Sequence, residues 1–165
     1  ESRQHAEQRG AKIGGQILGY GRRFEPGWPQ KTPTGQAIRQ SIEAPLALSN
    51  VGAGEVGHGN APASGAIDED AIEAQAIAGT LGEVPVTATK SFIGNLGASG
   101  NAAELAINLI GLQQRMVPPT LNYERPDPAC PVNVVTSSQI SQSPNFLSIS
   151  HKLTGQAISL LVRTE

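Results

Sequence analysis

Residues 84–115 open with Val84-Pro-Val-Thr-Ala-Thr89, continue through Lys90-Ser-Phe-Ile-Gly-Asn-Leu-Gly-Ala-Ser-Gly100, and close with the run Asn101 to Arg115. Val84, Val86, Thr87 and Thr89 are β-branched and predict a strand over 84–89. The glycines that follow predict a turn. Leu105, Leu109 and Leu112 then recur at helical spacing with Ile110 beside them, which predicts a helix over 100–115. Pro118-Pro119 ends it. Strand, glycine turn and helix in that order are a building unit of a layered α/β fold.

The same alternation extends in both directions. Upstream, Asp68-Glu-Asp70 puts acidic residues at a helix start, and Ile72, Ala76 and Ile77 mark the buried face of a helix over 68–80. Residues 52–57 read as a short strand feeding a glycine-rich turn. A short helix from Gln36 to Glu43 is limited by Pro45, residues 21–35 form a surface loop, and 12–21 is a strand. The polar first ten residues finish a helix at Gly10. Downstream, 121–131 is irregular and Pro-rich, and Val132 to Val135, 145–150 and 156–163 read as late strands. The expected class is α/β: a layered mixed β-sheet with packed α-helices, as one domain over 1–165.

Composition narrows the function classes. The 165 residues carry a formal charge of −2, which gives no electrostatic footprint for nucleic acid or an anionic membrane. Charged residues are 16%, too few for a disordered acidic tail, and the 19 glycines follow no collagen period. Aromatics are only 4%, so Ala, Ile, Leu and Val must build the core. Cys130 is the only cysteine, which excludes an intrachain disulfide and fits a reducing, cytoplasmic setting. No apolar run approaches a membrane span. The polar start without Met reads as an excised piece of a longer chain.

Several residues are candidates for chemistry, each with a plainer alternative. His58 lies between glycines in Val56-Gly-His-Gly-Asn60; it either polarises a substrate carbonyl or is a loop histidine with no task. Lys90 at the strand end either fixes a substrate carboxylate or is simply solvated, and Glu104 is either its partner or a surface acid. The turn 94–101 either binds an anion with its backbone amides or allows a close helix–sheet contact. Cys130, between prolines with no adjacent histidine, reads as a structural thiol. One cysteine and three scattered histidines give no metal-ligand spacing.

Four ordered blocks carry a family resemblance. Arg9-Gly-Ala-Lys-Ile13 with Gly19-Tyr-Gly21 resembles "RGAxIYAE…GYG"; Val56-Gly-His-Gly59 with Asp70-Ala-Ile-Glu73 resembles "EAHGTGT…DxIEA". Thr89-Lys-Ser-Phe-Ile-Gly94 resembles "TKSxxGH", and Pro118 to Cys130 resembles "PPTxNxxxPDxxC". Together they resemble the C-terminal half of a β-ketoacyl-acyl-carrier-protein synthase, of the thiolase-like fold. The resemblance implies a missing N-terminal half that bears the nucleophilic cysteine. It maps the first catalytic histidine onto His58, the supporting lysine onto Lys90 and the helix glutamate onto Glu104. The second histidine position holds Asn95, as in the Cys-His-Asn initiating synthases. The gate "GFGGTN" becomes Lys152-Leu-Thr-Gly155-Gln-Ala157, with Leu153 in place of the gating Phe and Gly155 kept.

The implied activity is decarboxylative Claisen condensation of acyl and malonyl thioesters in fatty-acid or polyketide synthesis. No directly bound cofactor or metal is implied; the substrate arrives on the phosphopantetheine of an acyl-carrier protein. The implied partners are the N-terminal half, that carrier and a second subunit in a homodimer or heterodimer. The alternative is a non-catalytic subunit resembling a chain-length factor. His58, Lys90 and Asn95 are expected to converge on one concave surface, and an apolar face is expected to await the other half.

Overall fold

The computed structural model describes residues 1–27 and 29–165. Trp28, within the expected 21–35 loop, lies outside the described residues. The chain runs through α1 (Arg3–Gln8), β1 (Gly15–Phe24), α2 (Gln36–Ser49), β2 (His58–Asn60), α3 (Ile67–Leu81), β3 (Val86–Thr87) and α4 (Lys90–Ile93). It continues with α5 (Gly100–Gln113), β4 (Met116–Val117), β5 (Gln139–Ile140), β6 (Asn145–His151) and β7 (Gln156–Thr164). The main sheet has five strands in the order β1-β7-β6-β2-β3, and β4 and β5 pair separately. β1, β7 and β6 are antiparallel neighbours, whereas β6, β2 and β3 run parallel. The sheet is mixed, as expected.

Alternation along the strands sorts the core onto two faces. Leu147, Ile149 and Leu161 meet Ile38, Ile42 and Leu46 of α2 and Ile77 and Leu81 of α3. Phe146 and Val162 point the other way and meet Leu105, Leu109 and Leu112 of α5. The sheet therefore lies between α2 with α3 on one side and α5 on the other. The α5 side is incompletely covered. Tyr20 and Phe24 of β1 are 65% and 66% exposed, and Ile158 of β7 is 43% exposed. Tyr20 pairs in register with Leu160, which packs towards α5, so these side chains extend the same face beyond the helix. Among the described residues no helix is long and apolar enough to cross a membrane.

Several local expectations need correction. Pro45 does not limit α2, which runs to Ser49 with Pro45 inside it. Proline removes an amide donor and crowds the carbonyl four residues earlier. That carbonyl, of Ser41, lies against Gly21 of β1, where an added Cβ would overlap it. Gly19 approaches Pro45 in the same way, with a Cβ position 3.0 Å from the Pro45 carbonyl. The strand expected at 12–21 begins and ends three residues later, so the following loop is shorter than 21–35. Residues 53–55 form a 3-10 turn, and the strand expected at 52–57 falls instead at His58–Asn60. Val132 to Val135 contributes one isolated bridge, between Val86 and Val134, not a strand.

The close approach of β1 to α2 makes a measurable demand on Gly21. Gly21→Ala should lower the unfolding free energy by about 1–3 kcal/mol, the usual cost of overpacking. Gly79 in α3 has no atom within 4 Å of its Cβ position. Gly79→Ala should raise stability by about 0.5–1 kcal/mol. Urea unfolding of the two variants checks both signs.

Candidate active site

β2 is short and buried on every residue, between β6 and β3. Its two-residue period sends His58 and Asn60 to one face and Gly59 to the other, against Leu81 and Ile149. His58 stacks on Phe146, with ring centroids 5.3 Å apart and planes 5° from parallel. That is the α5 side, and α5 meets it with Glu104 and Asn108, spaced i, i+4 on one helix face.

The polar groups between β2 and α5 bond to one another. His58 Nε2 lies 2.9 Å from Asn108 Oδ1, and Asn108 Nδ2 donates to the Glu104 carbonyl at 2.8 Å. Asn60 Nδ2 donates to Glu104 Oε2 at 2.8 Å. Asn60 Oδ1 accepts from the Thr89 hydroxyl at 2.8 Å and from its backbone N–H at 3.3 Å. The next residue, Lys90, places Nζ 3.5 Å from Glu104 Oε1. The Glu104 side chain is 2% exposed and that of Lys90 is 19% exposed, so the ammonium is the end of this cluster that opens outward. A buried carboxylate needs such a partner, because removing it would leave an uncompensated charge in the core.

The structure pairs Lys90 with Glu104 but does not bring His58, Lys90 and Asn95 together on one concave surface. His58 is wholly buried and presents no group to a concave surface. Burial pushes its imidazole down to about 4, and the hydrogen bond to Asn108 opposes this only in part. Asn95 stands on the exposed turn between α4 and α5, where its Oδ1 accepts from Gly97 N–H at 3.0 Å. Gly94 and Gly97 take φ +71° and +60° there, which lets the chain double back before α5.

The expected gate residues lie in the tight turn between β6 and β7. Gly155 has φ +99° and its carbonyl accepts from Glu25 N–H at 3.0 Å, so the turn is docked on the end of β1. Leu153 is partly exposed at its tip. His151, not singled out in the sequence, donates from Nε2 to Glu73 Oε2 at 2.5 Å, and Glu73 Oε1 accepts from Ala63 N–H at 3.1 Å. That contact fastens the segment after β2 to α3 and to the end of β6. Burial, then the carboxylates of Asp127, Asp70 and Glu73, push the Cys130 thiol up, which suits a structural thiol. No group of metal-ligating side chains is present among the described residues.

Asn60, Thr89 and Asn108 were also missed. The available signal was Glu104 and Asn108, two polar residues four apart within the apolar pattern of α5.

Residues 15–124 match the family model for the beta-ketoacyl synthase C-terminal domain. The chain belongs to this family. This ketoacyl synthase domain is 31% identical over 143 residues to 3-oxoacyl-[acyl-carrier-protein] synthase 2 of Vibrio cholerae, covering 82% of the chain and 34% of that protein. It is 33% identical over 166 residues to the tetracenomycin polyketide synthase ketoacyl synthase alpha subunit of Streptomyces glaucescens, covering 96% of the chain and 39% of that protein. The domain thus spans little more than a third of the length of these curated relatives.

Solved structures agree. A beta-ketoacyl synthase from Burkholderia phymatum superposes on the whole domain with TM-score 0.91 at 28% identity, over 41% of its own chain. A type II polyketide synthase acyl-carrier protein in complex with its ketosynthase gives 0.90 at 27%, with the whole domain covered and 42% of that chain. The ishigamide ketosynthase/chain length factor gives 0.89 at 26%, again with full coverage and 41% of that chain. The layered half of a thiolase-like fold expected from the motifs is the fold of this domain.

The burial of His58 has a pH consequence. Its folded value is below the unfolded one near 6.5, so at intermediate pH the unfolded chain binds the proton and the folded chain does not. This contribution is complete above pH 6.5 and is lost as pH falls from there towards 4. Between pH 7 and pH 4 the wild type should lose about 3 kcal/mol more unfolding free energy than His58→Gln. Denaturant unfolding across that pH series measures the difference.

Proposed function

We propose that this domain is the C-terminal half of a subunit of a decarboxylative condensing system that extends acyl chains in fatty-acid or polyketide synthesis. Acyl and malonyl thioesters reach that system on the phosphopantetheine arm of an acyl-carrier protein. An N-terminal half precedes this one in the parent and covers the apolar surface formed by Tyr20, Phe24 and Ile158. The length of the relatives supports this, since each is more than twice as long as the domain.

Within that system we propose the role of a non-catalytic partner subunit, paired with an active synthase and shaping its acyl site. One observation carries this reading: no imidazole reaches the Lys90–Glu104 pair. His58 is buried and held neutral, and the β2 residue that meets the pair is an amide, Asn60. An amide donates a hydrogen bond but exchanges no proton near neutral pH. The second reading is that the parent condenses. The ion pair itself favours it, because it holds the Lys90 side chain at the partly exposed end of the polar cluster. In that reading Asn95 is a neutral donor to the thioester carbonyl, opposite a cysteine from the N-terminal half.

The intact parent distinguishes the two. Alone, it should decarboxylate malonyl-acyl-carrier protein only at the background rate, and Asn95→Ala should leave that rate unchanged. Mixed with an active ketoacyl synthase of the same organism, it should form a stable heterodimer and alter product chain length. Condensation by the parent alone, reduced roughly 10²–10³-fold by Asn95→Ala, the loss typical of one oxyanion donor, would establish the second reading.

A further inference from the structure

The hydrogen bonds between β2 and α5 share a direction that the chemistry of each acceptor determines. The Glu104 carbonyl can only accept, so the Asn108 atom bonded to it is Nδ2 and the atom facing His58 is Oδ1. Oδ1 cannot donate, so the imidazole proton sits on Nε2. Asn60 is oriented in the same way. Its Oδ1 receives the Thr89 backbone N–H, which leaves Nδ2 to face Glu104 Oε2. The Thr89 hydroxyl donates to Asn60 Oδ1 and accepts from Asn108 Nδ2 at 3.4 Å. Donation therefore runs from His58 through Asn108, Thr89 and Asn60 to the Glu104 carboxylate, without a reversal.

Both ends of this chain are distinctive. At the inner end, His58 Nδ1 is buried without a hydrogen-bond partner. A bare lone pair tolerates that position better than an unpaired N–H carrying a charge would. At the outer end, Glu104 Oε1 has no hydrogen-bond partner either, and faces Lys90 at ion-pair range. Successive donors in a low-dielectric interior polarise one another towards the acceptor, which here is the carboxylate.

We propose that His58 is a positioning residue: as the first donor of this chain it sets, through Asn108, Thr89 and Asn60, the orientation of the Glu104 carboxylate and so the place of the Lys90 ammonium. Asn60 is the β2 residue that acts on that pair directly. The proposal concerns the geometry of the Lys90–Glu104 pair and holds under either reading of the parent.

The test uses the intact parent and needs no turnover. Nitrogen NMR of the His58 imidazole should show one neutral tautomer with the proton on Nε2 throughout pH 5–8. Lys90 acylation by a water-soluble amine reagent is followed by peptide mass spectrometry, relative to the exposed Lys12. In His58→Leu and in Asn60→Ala the relative rate should rise roughly tenfold, the scale of one hydrogen bond to a charged group. His58→Gln, which keeps an N–H at similar reach, should stay within about twofold of wild type on the same scale. Should His58→Leu not fold, Asn60→Ala and the wild-type spectrum decide. A proton on Nδ1, titration near the ordinary histidine value of about 6.5, or wild-type Lys90 labelling in Asn60→Ala would overturn the proposal. Such a failure would leave the partner-subunit reading standing, because that reading is judged by pairing and condensation assays.

Discussion

A carboxylate buried between a sheet and a helix is the constraint around which the rest of the molecule is arranged. Glu104 sits on α5 with its side chain 2% exposed, bonded to Asn60 and paired with Lys90. Asn60 comes from β2 and Lys90 from the start of α4, while Asn108, one helical turn further along α5, bonds the Glu104 backbone carbonyl. Residues separated by more than forty positions in the chain are thereby held in register by a single side chain. Without the Glu104 carboxylate, Asn60 Nδ2 would be a buried donor with no acceptor.

The framework that holds these elements is built from small residues and close approaches. Gly19 and Gly21 let β1 lie against α2, and the carbonyl that Pro45 leaves without a helical donor is accommodated beside Gly21. Parallel pairing of β6, β2 and β3 brings their carboxyl ends to one edge of the sheet. From that edge emerge the segment after Asn60, the turn carrying Lys90 and the β6–β7 turn with Leu153 and Gly155. Open α/β sheets bind ligands at such edges because the loops there are free to vary while the strands stay rigid. The apolar side chains left exposed on the α5 side fit a domain that covers only part of the length of its relatives.

Much of this architecture was legible in the chain itself. Leu105, Leu109 and Leu112 marked α5, Asp68 to Asp70 marked the start of α3, and four ordered motifs pointed to the ketoacyl synthase family. The errors were local and share a cause. The intrinsic preference of Pro45 ends a helix, and tertiary packing overrides it in α2. The sequence pattern places the strand before His58 and His58 in the glycine turn. In the folded chain His58 begins the strand itself.

That shift changes the site. Placed inside β2, His58 is covered by α5, and Asn60, two residues on along the same face, is the one that meets Glu104. Composition, hydrophobic period and motif order determined the α/β class, the order of the main elements and the family, because each of these is encoded in residues near one another in sequence. Which of His58 and Asn60 meets Lys90 and Glu104 was decided only when β2 settled between β6 and β3 beneath α5. Their partners lie on other elements, and only the packed sheet and helix bring those groups within hydrogen-bonding distance.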